Sequence, residues 1–443
     1  MKKILFLVLI SFPLFAQYDD YPRPDEGYLS GGFGLNWIDG KPYYRIGFRP
    51  EISFANFGVG LDLNLDFDSD GNLRKENFNE FTDYLSIIRY VRYGLKNDPV
   101  FIKLGALDYY TLGHGTIMHQ YNNSPTYDAR RIGLVADIDF GKFGFESMYG
   151  SFAQSGVFGM RAYARPLQFT EAGDIPIIGN LEFGASYVTD FNEYARVDSG
   201  YFDQTGKFKV VKDGGALTVL GIDVGLPLIK SSITTITLYV DYNKIIDFGS
   251  GVATGVKFDF EGLGLISASA KLERRFNNGK YLPSYFNSFY EIERFKSDSA
   301  AGTYTSKSLQ LANITENANG FYGDLFIRVL NLFDIYGSYQ RLDKNPKSGI
   351  LNLRTAIEPE EAPFVLRAGY DKINIKDEKD LFKLDDRSYL FTEVGYKPMP
   401  YLLVSIVYNW TFAPVRDSDD NIVGYKPQKR IEPRVSFIYP FKF

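Results

Sequence analysis

Apolar and polar positions alternate along most of this chain. The clearest stretch is 57–68, where Phe57, Val59, Leu61, Leu63, Leu65 and Phe67 share one parity and Asp62, Asn64, Asp66 and Asp68 the other. Successive side chains of a strand point to opposite faces, so a period of two predicts a strand with one apolar and one polar side. The pattern recurs at Thr234, Ile236, Leu238, Val240 and Tyr242, and again at Leu402, Val404, Ile406, Tyr408 and Trp410. Segments of this kind run from 28–38 at the start to 430–443 at the end. There are about twenty of them, each about ten residues long, the length a tilted strand needs to cross a bilayer.

The last segment carries the most specific signal. Val435, Phe437, Tyr439, Phe441 and Phe443 fall on one parity, while Arg434, Ser436 and Lys442 fall on the other. This strand resembles the closing strand of bacterial outer-membrane β-barrels of porin type. The resemblance implies that Phe437, Tyr439, Phe441 and Phe443 form the motif read by the barrel-assembly machinery, and that the surrounding lipid is that of the outer membrane. The predicted fold is all-β, a single transmembrane antiparallel barrel of about twenty strands (roughly 18–22).

The other end agrees. Met1-Lys2-Lys3 is a short basic start, Ile4 to Ile10 an unbroken apolar run, and Ala16 a small residue at a cleavage point. Residues 1–16 are therefore expected to be a secretory signal peptide, 17–27 a short periplasmic segment, and 28–443 the barrel. So short a leading segment leaves no room for an N-terminal plug domain. The chain has no cysteine, which suits passage through an oxidising periplasm without disulfides. Its formal net charge of −5 grows more negative once Lys2 and Lys3 are removed, which argues against nucleic acid as a partner. Aromatics make up 16% of the residues, and no apolar run beyond the leader approaches the length of a spanning helix. A barrel hides its hydrophobicity in just this way.

Short links alternate with long ones, and the longest are 110–129, 192–213 and 276–318. Outer-membrane barrels keep short turns in the periplasm and long loops outside. The first half of 276–318 is dense in aromatics, and Tyr285, Phe286, Phe289 and Tyr290 are candidates for a constriction folded into the lumen. Phe286, Phe289, Tyr290 and Glu293 fall at helical spacing, so this stretch reads equally as a short helix or a strand pair.

Candidate chemistry is sparse. Arg45, Arg49, Asp62, Asp66, Asp137, Arg161, Arg165, Asp241, Arg354 and Arg367 occupy polar positions of their strands and are expected to line a hydrated lumen of mixed charge. Asp66 to Gly71 matches the first half of a calcium loop, but Asn77 stands where a bidentate Glu is needed, so a polar turn is expected. The only histidines, His114 and His119, share one outer link with no catalytic or metal-binding spacing. No cofactor, metal or enzymatic activity is expected. The expected function is passive diffusion of small polar solutes through an outer-membrane channel narrowed by infolded loops. The alternative is a structural, adhesive or secretion-assembly barrel acting through protein partners.

Overall fold

The computed structural model describes residues 25–78, 81–96, 98–126, 130–152, 156–262, 265–330, 332–357, 363–417 and 422–442. The expected signal peptide 1–16, residues 17–24 and Phe443 lie outside the described residues.

One antiparallel sheet of 22 segments dominates the molecule. Lys41–Phe48 is continued by Glu51–Phe54, and Phe57–Leu61 by Leu63–Phe67, so a barrel of 20 strands results. Pro50, which has no N–H to give to a ladder, stands at the first break. Next in chain order come Ile88–Tyr93, Val100–Gly105, Gly133–Asp139, Phe143–Tyr149, Val157–Ala164, Glu182–Asp190, Leu217–Lys230, Thr234–Ile245 and Ser250–Gly262. Ile266–Asn277, Gly320–Val329, Phe333–Leu342, Gly349–Ile357, Phe364–Ile375, Ser388–Met399, Leu402–Arg416 and Ile422–Lys442 complete it. The first strand, Glu26–Ile38, pairs with the last from Glu26↔Lys442 to Ile38↔Arg430, and this pairing closes the barrel. Closure satisfies backbone groups that an open edge would leave bare in lipid.

The outer surface is the apolar parity. Phe33, Ile222, Leu272 and Phe321 are each more than 60% exposed, in positions that only lipid can cover. Aromatic rings pair at the end where the termini meet, among them Phe140 with Phe143, Phe364 with Tyr396 and Tyr401 with Tyr439. Such a ring of aromatics marks the membrane–water interface of a β-barrel. Most turns at this end are short, the exception being the link from Ala164 to Glu182, which holds three short helical turns. Phe140-Gly141-Lys142 is a short one, where Gly141 takes φ +82°, a left-handed conformation that suits glycine. No described helix is long and apolar enough to cross a membrane; the strands do the crossing. The protein is a membrane-spanning barrel of the outer-membrane type.

Three departures from the alternation matter below. The stretch 413–428 reads as a polar link, yet the last two strands continue to Arg416 and resume at Ile422. Pro414 and Pro427 disguise it, because proline is tolerated at a strand edge where no donor is needed. The link 192–213 contains its own hairpin, Val197–Phe202 with Phe208–Asp213. The link 276–318 holds both structures its spacing allowed, a helical turn at Tyr290–Glu293 and a hairpin of Phe295–Asp298 with Thr303–Ser306.

Candidate functional site: a two-segment plug in the lumen

Two outer links turn back into the barrel. The first joins Val100–Gly105 to Gly133–Asp139. Tyr110 and Tyr121 exchange two backbone hydrogen bonds of 2.8 Å, which narrows this link into a finger with its tip near residues 113–118. The tip is fastened to strands far round the wall. The Gly113 N–H donates to Glu146 at 2.7 Å, Thr116 hydrogen-bonds to Asp241, and Lys271 Nζ donates to the His114 carbonyl at 2.7 Å. His114 stacks on Tyr239 with ring centroids 4.0 Å apart, and its Nε2 lies 3.4 Å from Asp223.

The second segment meets this tip. The Ser284 N–H donates to the Thr116 carbonyl at 2.7 Å, and Phe286 N–H to the Ile117 carbonyl at 3.1 Å. The His119 N–H donates back to the Phe286 carbonyl at 2.9 Å, so Met118 and Phe286 form a parallel bridge. Two links distant in sequence thus pair backbone to backbone inside the barrel. Tyr285, Phe286 and Tyr290 pack together with Met118, Tyr121 and Leu311 in one apolar cluster, and Phe286 and Tyr290 have no exposure at all. Phe289 belongs to a second cluster with Ile292, Ile373 and Phe412. Aromatic density explains the inward fold: these rings have too much apolar surface to be left in water.

Buried charge ties the segments together. Glu291, from the second link, pairs with Arg131, from the first, and accepts from the Tyr121 hydroxyl at 2.7 Å. Arg294 bridges Glu291 at 2.7 Å and the wall residue Asp190 at 2.6 Å, and the Tyr290 hydroxyl also donates to Asp190 at 2.6 Å. Burial opposes ionisation of Glu291, but Arg294 and Arg131 outweigh it and hold the carboxyl below its usual range. His119 is held the other way. Burial and the nearby Lys271, Arg275 and Arg354 push its imidazole well below the ordinary histidine range. Its Nε2 lies 3.0 Å from the Tyr322 hydroxyl and 3.4 Å from that of Tyr336.

The ten wall charges singled out in the sequence are all engaged. Arg45 forks onto Asp66 and reaches Glu432 at 2.8 Å; Arg49 meets Asp62 at 2.7 Å. Asp137 pairs with Lys96, and Asp241 with Thr116. Arg161 binds Asp223 and Glu182, Arg165 binds Asp139 and Glu182, Arg354 binds Asp371, and Arg367 binds Glu393. Charges that face each other across neighbouring strands neutralise locally and fix the register. The partners inside the plug, Arg130, Arg131, Glu291 and Arg294, stand out less in sequence, because nothing in a link's spacing reveals which strand it will meet. Asp68, in the partial calcium loop, closes a turn by accepting from Asp70 N–H and Asn72 N–H at 3.0 and 2.8 Å. No group of three or more metal-binding side chains converges among the described residues. Beside the finger lies a cavity of about 200 Å³ whose lining includes Asp62, Asp108, Arg130, Arg131 and Tyr389.

Comparison with known proteins gives distant structural likeness only. No family model matches the chain, and no curated protein matches it. Among solved structures it is similar to the outer membrane protein opdK of Pseudomonas aeruginosa, with TM-score 0.33, 10% identity, and 94% of this chain and 98% of that one covered. OccAB2 of Acinetobacter baumannii gives TM-score 0.30 and 11% identity, covering 94% of this chain and 98% of that one. CdiB of the same organism gives TM-score 0.27 and 7% identity, covering 93% and 60%.

Proposed function

We propose that the protein is an outer-membrane channel for passive diffusion of small polar solutes, and that the plug sets its limiting aperture. The observation that carries this reading is the backbone pairing of Met118 with Phe286. It supports reading the two outer links as an ordered constriction inside a wall of paired charges. In this reading Tyr285, Phe286, Phe289 and Tyr290 narrow the path, and solutes pass beside them along charged residues such as Arg49, Asp62 and Arg130. Fixed charges of both signs at close range favour polar solutes over apolar ones. The aromatic last strand, with Phe437, Tyr439 and Phe441, is the segment we assign to recognition by the assembly machinery.

The test is single-channel conductance of the purified protein in a planar bilayer, with and without residues 283–312 replaced by a Gly-Ser bridge. Conductance should rise several-fold and ion selectivity weaken while the barrel still folds. A second reading has its own support. The apolar cluster across the lumen suits a barrel closed to ions that acts through a protein partner. A folded deletion variant that conducts nothing would favour it.

A further inference from the structure

The last two strands outrun the barrel. Leu402–Arg416 has 15 residues and Ile422–Lys442 has 21, where about ten suffice to cross a bilayer. Their neighbours stop short. Ser388–Met399 pairs no further than Trp410, and Glu26–Ile38 no further than Arg430. Past those points the two strands pair with each other as far as Arg416↔Ile422, and each presents an edge to which no barrel strand is paired among the described residues.

The plug occupies those edges. On one side Thr126 forms a parallel bridge with Phe412, and Thr411 Oγ1 donates to the Pro125 carbonyl at 3.2 Å. On the other side Ser297 Oγ donates to the Val423 carbonyl at 3.4 Å. Gly424 lies so near that a Cβ placed on it would stand 3.8 Å from Lys296 Cα. Arg131 Nη2 donates to the Tyr425 hydroxyl at 3.0 Å, and Phe412 meets the edge of Phe289 at 6.0 Å. The extension therefore touches the first plug segment at 125, 126 and 131 and the second at 289 and 297. Phe412, Ala413 and Val423 are buried by these contacts, although the strands have left the wall. Pro427 faces Phe412 and Pro414 faces Tyr425 across the ladder. Two missing donors blunt the edges against a foreign strand.

We infer that this extension, 411–417 with 422–429, is a clasp that helps hold both plug segments in the lumen, and that its displacement is the step that opens the channel. The inference rests on the channel reading. Among the described residues one short bridge, single hydrogen bonds and a ring contact join clasp to plug, whereas a continuous ladder joins each barrel strand to the next. The weaker joint opens first. Because one clasp touches two segments, its displacement loosens both together and leaves their fastenings to the wall as the remaining hold.

The chain has no native cysteine, so a Ser297→Cys/Gly424→Cys pair can be read cleanly. Oxidised, this variant should stay at its lowest conductance level, and dithiothreitol should restore open transitions. In a second variant residues 413–427 are replaced by a two-residue turn. Folded protein, judged by heat-modifiable migration, should then conduct several-fold more than the native barrel, approaching the variant that lacks 283–312. A cross-linked protein whose traces match the reduced one overturns the clasp. So does a folded, trimmed barrel with native conductance, and that measurement decides if the cysteines fail to join. A barrel silent even without 283–312 overturns the channel reading itself, a separate outcome.

Discussion

Leu272 and Lys271 are neighbours on one strand and live under different rules. Leu272 is 66% exposed on the outer face, where any apolar side chain of moderate size satisfies the lipid. Lys271 is buried on the inner face, where it donates to the His114 carbonyl, lies 3.6 Å from Asp324, and sits 4.5 Å over the Tyr322 ring. The outer face needs a composition; the inner face needs particular partners. Membrane residence is therefore robust to change on the lipid side, provided no charge is introduced. The plug, by contrast, depends on individual contacts.

The largest effect expected from breaking that contrast lies at Glu291. Glu291→Ala leaves Arg131 and Arg294 buried with one carboxylate fewer between them. Removing one partner of a buried pair costs about 3–5 kcal/mol. The loss falls on the plug, since the ladder is untouched. Limited proteolysis should cut within 281–312 while the barrel keeps its folded migration on cold gels. An unchanged digestion pattern would mean that the charges do not hold the segments in.

The lipid face comes next. Leu272→Arg near the midplane should destabilise the barrel by about 2–4 kcal/mol in denaturant titration. Thr237→Glu, on the inner face opposite Lys257, should stay within about 1 kcal/mol. Equal costs would erase the distinction between the two faces.

How far the sequence shows these things follows the same division. The outer face was legible because alternation is a local property. Phe57 to Phe67 and Thr234 to Tyr242 announce their strands with no knowledge of the neighbours. The inward segment was half legible: the aromatics from Tyr281 to Phe295 signal burial, but not that Phe286 would pair with Met118. That pairing joins segments more than 160 residues apart. Glu291, Glu293 and Arg294 read as ordinary loop charges because their partners Asp190, Arg131 and Lys307 come from elsewhere in the chain or from the far side of a hairpin. The clasp was hidden by Pro414 and Pro427, which end a strand by local rules and are accommodated here by edge position.

A smaller effect is expected inside the second segment. Ser306 caps the short helix Lys307–Ala312 by accepting from the Leu309 N–H at 3.2 Å. Ser306→Ala should cost about 1 kcal/mol. Faster exchange of the Leu309 amide, with the ladder amides unchanged, would register it. Ser306→Asp, which keeps an acceptor at the same place, should restore most of the protection.

The last expectation is nil at neutral pH and grows only in acid. His119 anchors the finger where it crosses to the far wall, with the Tyr322 and Tyr336 hydroxyls at its Nε2 and Thr111 Oγ1 3.4 Å from its Nδ1. Burial and then Lys271, Arg275 and Arg354 hold its pKa in the plug well below the ordinary value. Released from the plug, the ring returns to about 6.5. The released state therefore binds the proton first. The ring's contribution to the folded-in state is complete above about pH 6.5 and is lost as pH falls from there toward the depressed value. The fraction of time that single channels spend open should rise between about pH 7 and pH 5 in the native protein. His119→Gln keeps a polar side chain that does not titrate, so its open fraction should be flat over the same range. The other titratable groups remain in both proteins, and any slope they add is common to the two. Parallel slopes in the native protein and the variant would remove His119 from the account of how the plug is held. A slope of the opposite sign would show that the ring is charged when folded in, against the three cations around it.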